Sequence, residues 1–382
     1  MRTYDVAIIG GGIIGASIAF ELAAEKLRVA VFDRQELGRE ASWAAAGMLS
    51  PAPDSPRDLP LVPFAKESLK RYPKFVQAIE EISGKPTAYT REGAIELFFS
   101  PNAEQDCRAR LNELRELGIA TELISPDAAR RTEGAIGASA SAALWLSEEG
   151  TVEPRLLMEA LLAASRNRGA DIRPNHEVTE LTREGDRCTG AIAGGEKIAA
   201  EHVVLAAGCF SREIASEDTL KLLAPTRPVR GQMLALRPAS GAAGLRRAVR
   251  SDRGYLVPRR DGRIVAGSTI EEAAFEKHVT AAGLRKIVDA TVELCPELAG
   301  AQIVETWAGL RPGTPDDLPI IGRDDLSGLW IATGHYRNGI LLAPATAKVV
   351  RDWILTGKTE FDMDAFSPKR FSRRETRTQT AV

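Results

Sequence analysis

Val6-Ala7-Ile8-Ile9-Gly10-Gly11-Gly12-Ile13-Ile14-Gly15 is the stretch whose reading decides the fold. Four apolar residues run straight into a glycine turn. A helical segment follows to about Lys26, with Ile14, Ile18 and Leu22 recurring every fourth residue on one face. Arg28 to Phe32 is a second apolar run and closes on Asp33. Strand, glycine turn, helix, strand and acid form the context that gives a GxGxxG pattern its meaning. Gly10 permits the tight turn, Gly12 lets a pyrophosphate approach the backbone, and Gly15 lets the helix pack on the strand. The helix start offers free N–H groups and a positive dipole end to phosphates. Asp33 is placed to accept hydrogen bonds from a ribose diol. The stretch predicts a bound dinucleotide.

Outward from this stretch, composition sets the bounds. A chain of 382 residues suits about two domains. The net charge of −2 points to no polyanionic partner, and no nucleic-acid partner is expected. No run approaches the roughly 18 apolar residues of a membrane span, so no membrane partner is expected either. The glycines and amphipathic spacing of the opening run do not fit a signal peptide. Cys107, Cys188, Cys209 and Cys295 are far apart and suit a reduced, cytoplasmic protein. His176, His202, His278 and His335 are equally scattered, so no metal site is expected.

Along the chain, Arg39 to Leu49 is a small-residue segment, before prolines 51, 53 and 56, that reads either as a loop able to receive a flat ligand or as an alanine-rich helix. Helical spacing covers 61–83, 103–117, 154–168 and 283–295, and 334–342 leads into a helix through about Leu355, while 88–99 reads as a pair of strands. Strands are expected at Ile172, at Val178–Leu181, at Val203–Leu205 before Ala206-Ala207-Gly208, and at Leu329–Thr333. Residues 227–269 alternate in the manner of an antiparallel sheet. The two textures predict interleaved domains, α/β plus α+β. Residues 1–86, 151–225 and 306–365 would form the cofactor domain. Residues 87–150 and 226–305 would form a covering antiparallel sheet, with 366–382 a polar tail. The active site should lie between the domains.

Three further motifs carry a resemblance: Ala45-Ala46-Gly47-Met48-Leu49, Ala308-Gly309-Leu310-Arg311-Pro312-Gly313-Thr314, and Gly334-His335-Tyr336-Arg337-Asn338-Gly339-Ile340-Leu341-Leu342-Ala343-Pro344-Ala345. With the opening, they resemble the D-amino-acid-oxidase family of FAD enzymes over nearly the whole chain, most nearly its glycine-oxidizing members of thiamine biosynthesis. The resemblance implies a Rossmann-like, glutathione-reductase-type FAD-binding domain interleaved with an antiparallel-sheet substrate domain. Ile13, Ile14 and Gly15 would lie at the pyrophosphate, Asp33 and Arg34 at the adenosine, and Ser42 near the phosphates. Ala46, Gly47 and Met48 would present backbone to the flavin, Val178 would meet the adenine, and Ala207 and Gly208 would pass close to the cofactor. His335, Tyr336, Arg337, Asn338, Gly339, Ile340 and Leu341 would wrap the pyrimidine edge, where a helix start stabilises developing negative charge.

Arg311 is the candidate for the substrate carboxylate, because a planar, permanently charged, bidentate donor suits it. Tyr255, on a strand after a turn, is similar to a residue that donates to the same carboxylate, although an isolated strand Tyr also fits a core. Arg337 either holds the flavin edge or closes over substrate. The implied chemistry is hydride transfer from the substrate Cα to the flavin, then hydrolysis of the imine to an oxoacid (glyoxylate from glycine), ammonia and hydrogen peroxide. The partners are a small amine or amino acid and oxygen, and a homo-oligomer is allowed. Relatives with covalently held flavin carry a Cys where Leu310–Thr314 stands here, so noncovalent FAD is expected. Arg253 stands where some relatives have His, which bears on the site entrance and on the choice of amine. The rival readings are a D-amino-acid dehydrogenase that reduces a quinone and a flavoprotein acting on modified tRNA bases.

Overall fold

The computed structural model describes residues 2–214, 224–239, 244–323 and 326–372. The first sheet has eight strands: β1 (Arg2–Ile9), β2 (Val29–Phe32), β8 (Asp171–Arg173), β9 (Val178–Glu184), β10 (Arg187–Ala193), β11 (Glu196–Leu205), β17 (Ile320–Arg323) and β18 (Leu329–Thr333). Its main path runs β17-β18-β11-β1-β2-β8. β1 lies parallel to β2 and β11, with Ile9 opposite both Phe32 and Leu205. The strands therefore end together, and the glycine turn leaves from that shared edge. Alternate residues face opposite ways, as the two-residue strand period requires. Val6, Ile8, Val29 and Val31 join one buried cluster, whereas Ala7, Ile9, Ala30 and Phe32 join another. Helices Ile13–Ala24, Val62–Ser83, Pro154–Asn167 and Gly339–Thr356 supply the first cluster, and the β9–β10 hairpin caps the second.

The second sheet also has eight strands, ordered β16-β12-β15-β14-β13-β4-β6-β5. They are β4 (Ala94–Phe98), β5 (Thr121–Ile124), β6 (Ala142–Leu146), β12 (Arg227–Arg237), β13 (Ala248–Arg250), β14 (Tyr255–Pro258), β15 (Ile264–Gly267) and β16 (Gln302–Gly313). All of its pairings are antiparallel except β4 with β13, where the two chain segments meet in parallel. A two-stranded ribbon, β3 (Met48–Leu49) with β7 (Gly150–Thr151), ties the small-residue loop to the start of helix Pro154–Asn167.

Three expectations need correction. β16 belongs wholly to the second sheet, pairing Arg227 with Gly313 and Arg237 with Gln302, so that sheet ends after Gly313 and not before 306. Residues 88–99 hold one strand, β4, plus a bridge from Thr90 to Thr151. The segment from 366 is folded as far as Ser372. Phe366 is buried against Phe64, with ring centroids 5.4 Å apart, and Arg370 Nε donates to Asp316 at 2.9 Å. Residues 373–382 lie outside the described residues. Among the described residues no helix is long and apolar enough to cross a membrane.

Candidate active site

The glycine turn is shaped by what crowds it. Gly10 has φ +99°, and a Cβ there would sit 2.5 Å from the Ala206 carbonyl oxygen. A Cβ at Gly15 would overlap the Gly10 carbonyl, so Gly15 joins helix to turn from behind and does not itself line the cavity. At the helix start, Ile13 N–H donates to Ser42 Oγ at 2.8 Å, which leaves the Ser42 proton free for another acceptor. Asp33 accepts from Gly11 N–H at 2.8 Å and Gln35 N–H at 3.1 Å. Burial pushes its carboxyl above the ordinary value, and those two donors pull it back. The Arg34 guanidinium lies 3.6 Å from the Phe210 ring centroid and pairs with Glu40 at 2.8 Å.

A cavity of about 700 Å³ runs from this end to the second sheet. Gly10, Gly12, Ile13, Ile14, Asp33, Arg34, Ser42, Val178, Ala207 and Gly208 line it on the first side. Ala46, Gly47 and Met48 line the middle. Gly47 has φ +78°, and a Cβ there would run into the Val152 carbonyl. Arg259 Nη2 donates to the Ala46 carbonyl at 2.7 Å and Trp307 Nε1 to that of Ala44 at 3.1 Å, fixing this wall. His335, Tyr336, Arg337, Asn338, Gly339 and Ile340 line the far side at the start of helix Gly339–Thr356. Leu341 does not line it. Its side chain is buried in the core, and its carbonyl accepts from Ser68 Oγ at 2.6 Å. The His335 ring turns to Thr346 Oγ1 at 3.1 Å, and burial lowers its pKa to about 3, so it is neutral.

At the second sheet, Tyr255 and Arg311 face the cavity together. Arg311 Nη1 donates to the Thr269 carbonyl at 3.0 Å and Nη2 to Ser268 Oγ at 2.7 Å. Among the described residues no carboxylate lies within ion-pair distance of this cation. Burial lowers its pKa, and Tyr255 opposes that shift. Tyr255 Oη donates to Met233 Sδ at 3.2 Å, a weak acceptor. Arg337 pairs with Asp54 at 3.0 Å, and both line the cavity. Arg253 does not belong here. It is exposed, pairs with Glu293 at 2.8 Å, and does not line the cavity.

Sequence reading missed Asp54, Phe210, Gly231, Arg250 and Ser268, all of which line the cavity. Arg250 is held by Glu149 at 2.7 Å and Glu96 at 3.0 Å. Partners so far apart in sequence leave no local signature. Ser268 follows a strand of the sheet that holds Tyr255, but its partner Arg311 is 43 residues away, so it too left no local signature. Among the described residues no group of His, Cys, Asp and Glu could hold a metal ion.

Comparison with known proteins gives a consistent result. The model of the family described as FAD dependent oxidoreductase matches residues 5–353. The chain is 33% identical to the glycine oxidase of Geobacillus kaustophilus, covering 95% of this chain and 96% of that one. The crystal structure of glycine oxidase from the same organism superposes with a TM-score of 0.90 over 97% of this chain and 99% of that chain, at 32% identity. The bifunctional protein ThiO/ThiG of Synechocystis is 34% identical over 97% of this chain, which spans only 54% of that protein.

Proposed function

Because this chain belongs to the family of FAD-dependent oxidoreductases, matched over residues 5–353, we propose that it is an oxidase of glycine and other small amines or D-amino acids. The reaction takes glycine, water and dioxygen to glyoxylate, ammonia and hydrogen peroxide. We further place this activity in thiamine biosynthesis and, with all four cysteines free and buried, in the cytoplasm.

The cavity fits FAD. Gly10 and Gly12 leave room where side chains would close on Ala206 and Ser42, Ser42 keeps a proton at a helix start, and Asp33 stands where a ribose diol would need an acceptor. Ala46, Gly47, Met48 and the 335–340 segment line the part that would receive the ring system. Bound there, FAD supplies the two-electron sink that takes a hydride from the substrate α-carbon. Attachment is noncovalent in this reading. Cys209 is the one cavity cysteine, and burial pushes its thiol up to about 12, so it stays an unreactive neutral group.

One observation carries the proposal: Arg311 is a cavity cation with no carboxylate partner among the described residues. A desolvated guanidinium left without an anion is costly, and a substrate carboxylate would meet its planar fork with two hydrogen bonds. Tyr255 can exchange its weak sulfur contact for the same carboxylate. Arg337, paired with Asp54 at 3.0 Å, lines the cavity, where it either holds the flavin edge or closes over substrate.

The test is an amine panel of glycine, sarcosine, D-alanine and L-alanine, read as peroxide formed in air, for the wild type and Arg311→Ala. The variant is expected to keep its flavin and lose about 10²–10³-fold in kcat/KM, the cost of stranding a buried charge partner. Undiminished turnover by Arg311→Ala would place the carboxylate elsewhere. The same wild-type preparation, precipitated with acid, should release its yellow chromophore to the supernatant; a yellow pellet would contradict noncovalent attachment.

A further inference from the structure

Among the described residues, no acid positions the Arg311 guanidinium. It lies over Gly231 of β12, where a Cβ would overlap its nitrogens, so a side chain at 231 would displace it. On its edge, one N–H reaches the Thr269 carbonyl at 3.0 Å and another the Ser268 hydroxyl at 2.7 Å. Thr269 is itself fixed, because its Oγ1 accepts from Gln232 N–H at 2.9 Å on the same strand as Gly231. The plane of Arg311 is thus set from β12 and from the segment that follows β15.

Ser268 does more than fill a place in this frame. A guanidinium only donates, so the Ser268 oxygen must be the acceptor in their hydrogen bond. The Ser268 proton is then available to a second partner, and among the described residues no acceptor is paired with it. Ser268 lines the cavity beside Arg311 and Tyr255. Accepting a charge-assisted hydrogen bond also strengthens a hydroxyl as a donor, since chained hydrogen bonds polarise one another. Three donors therefore converge on one region: the free face of the Arg311 fork, the Tyr255 hydroxyl and the Ser268 hydroxyl.

We propose that Ser268 is a substrate-binding residue that fixes the plane of Arg311 and donates its own proton to the substrate carboxylate. This rests on the reading of Arg311 as the carboxylate-binding residue. It makes selection for a carboxylate over a neutral or esterified acid depend on a hydroxyl at 268. A neutral acid derivative would leave both the cation and this polarised hydroxyl unmatched.

The experiment uses the FAD-loaded protein and two readouts. The first is the dissociation constant of glycolate, which has the carboxylate but no amine, followed by perturbation of the flavin spectrum. The second is KM and kcat for glycine. Ser268→Ala is expected to weaken glycolate and raise KM about 10-fold, the worth of one hydrogen bond to a charged group, with kcat and flavin content nearly unchanged. Ser268→Thr restores a hydroxyl and should recover most of the loss, which a merely structural defect would not allow. Glycolate affinity in Ser268→Ala equal to wild type overturns the Ser268 role while leaving Arg311 in place. A fall in kcat with glycolate binding intact also overturns it. Wild-type protein that does not bind glycolate would remove both this inference and the carboxylate reading beneath it.

Discussion

A histidine enclosed beside a cofactor cavity invites a catalytic reading, but His335 is held neutral. Its ring meets Thr346 and no acid, and burial lowers its pKa from 6.5 to about 3. The sign of the consequence is fixed. The unfolded chain binds a proton at this site below about pH 6.5 and the folded chain does not until about pH 3, so stability is whole above 6.5 and falls as the pH drops between them. By pH 4.5 the loss is about 2–3 kcal/mol. Melting temperatures of wild type and His335→Asn at pH 7 and pH 4.5 test this: the variant should lose less on acidification. Parallel curves would show that His335 titrates normally. At this scale the sequence was legible where chemistry is local. Asp33 follows the second strand of a recognisable unit, and the segment around Arg311 carries its own pattern. It was not legible for Ser268 or Asp54, whose meaning comes from Arg311 and Arg337, 43 and 283 residues away.

The start of helix Gly339–Thr356 shows how one element borrows from another. Pro344 lies inside the helix and brings no N–H, so the Ile340 carbonyl lacks its ordinary i+4 donor. Tyr72 Oη, from helix Val62–Ser83, donates to that carbonyl at 3.0 Å. One position on, Ser68 Oγ donates to Leu341 O at 2.6 Å and accepts from Ala345 N–H at 3.2 Å, bridging a step of the ladder. Tyr72 is fully buried, so its hydroxyl has no water to turn to. Tyr72→Phe should therefore cost about 1–3 kcal/mol, the price of a buried carbonyl left unmatched. Denaturant unfolding of the two proteins measures it, and a midpoint unchanged at equal slope would show that the carbonyl finds another donor. Apolar spacing revealed both helices in the sequence, proline included. Their mutual repair was hidden, because Tyr72 and Ser68 meet carbonyls 268 and 273 residues away. The β10 strand was missed because Gly190, at φ +150°, interrupts its alternation.

Across the molecule, two textures in the sequence become two sheets, and the cavity lies where they face each other. Alternation of texture was readable, but the joins were not. β4 and β13 pair in parallel although about 150 residues separate them. β16 continues through the expected boundary and so carries Arg311 from the second sheet into the cavity wall. This arrangement bears on the electron acceptor. A quinone needs an apolar docking surface as well as a route to the reacting centre, whereas dioxygen needs only the route. Among the described residues the exposed large apolar side chains are Leu59, Leu123, Ile270, Phe275, Ile303, Val304 and Leu355, drawn from five separate segments, and Phe275 already stacks on Phe210 with centroids 5.0 Å apart. In keeping with the proposed oxidase function, the reduced enzyme is expected to pass its electrons to oxygen, with one peroxide formed per amine consumed. Stopped-flow mixing of anaerobically glycine-reduced protein with air-saturated buffer, and separately with a soluble quinone, decides the matter. Reoxidation by oxygen faster than steady-state turnover supports the oxidase. Reoxidation slower than turnover, together with rapid reduction of the quinone, would make the protein a dehydrogenase that shares the same carboxylate site.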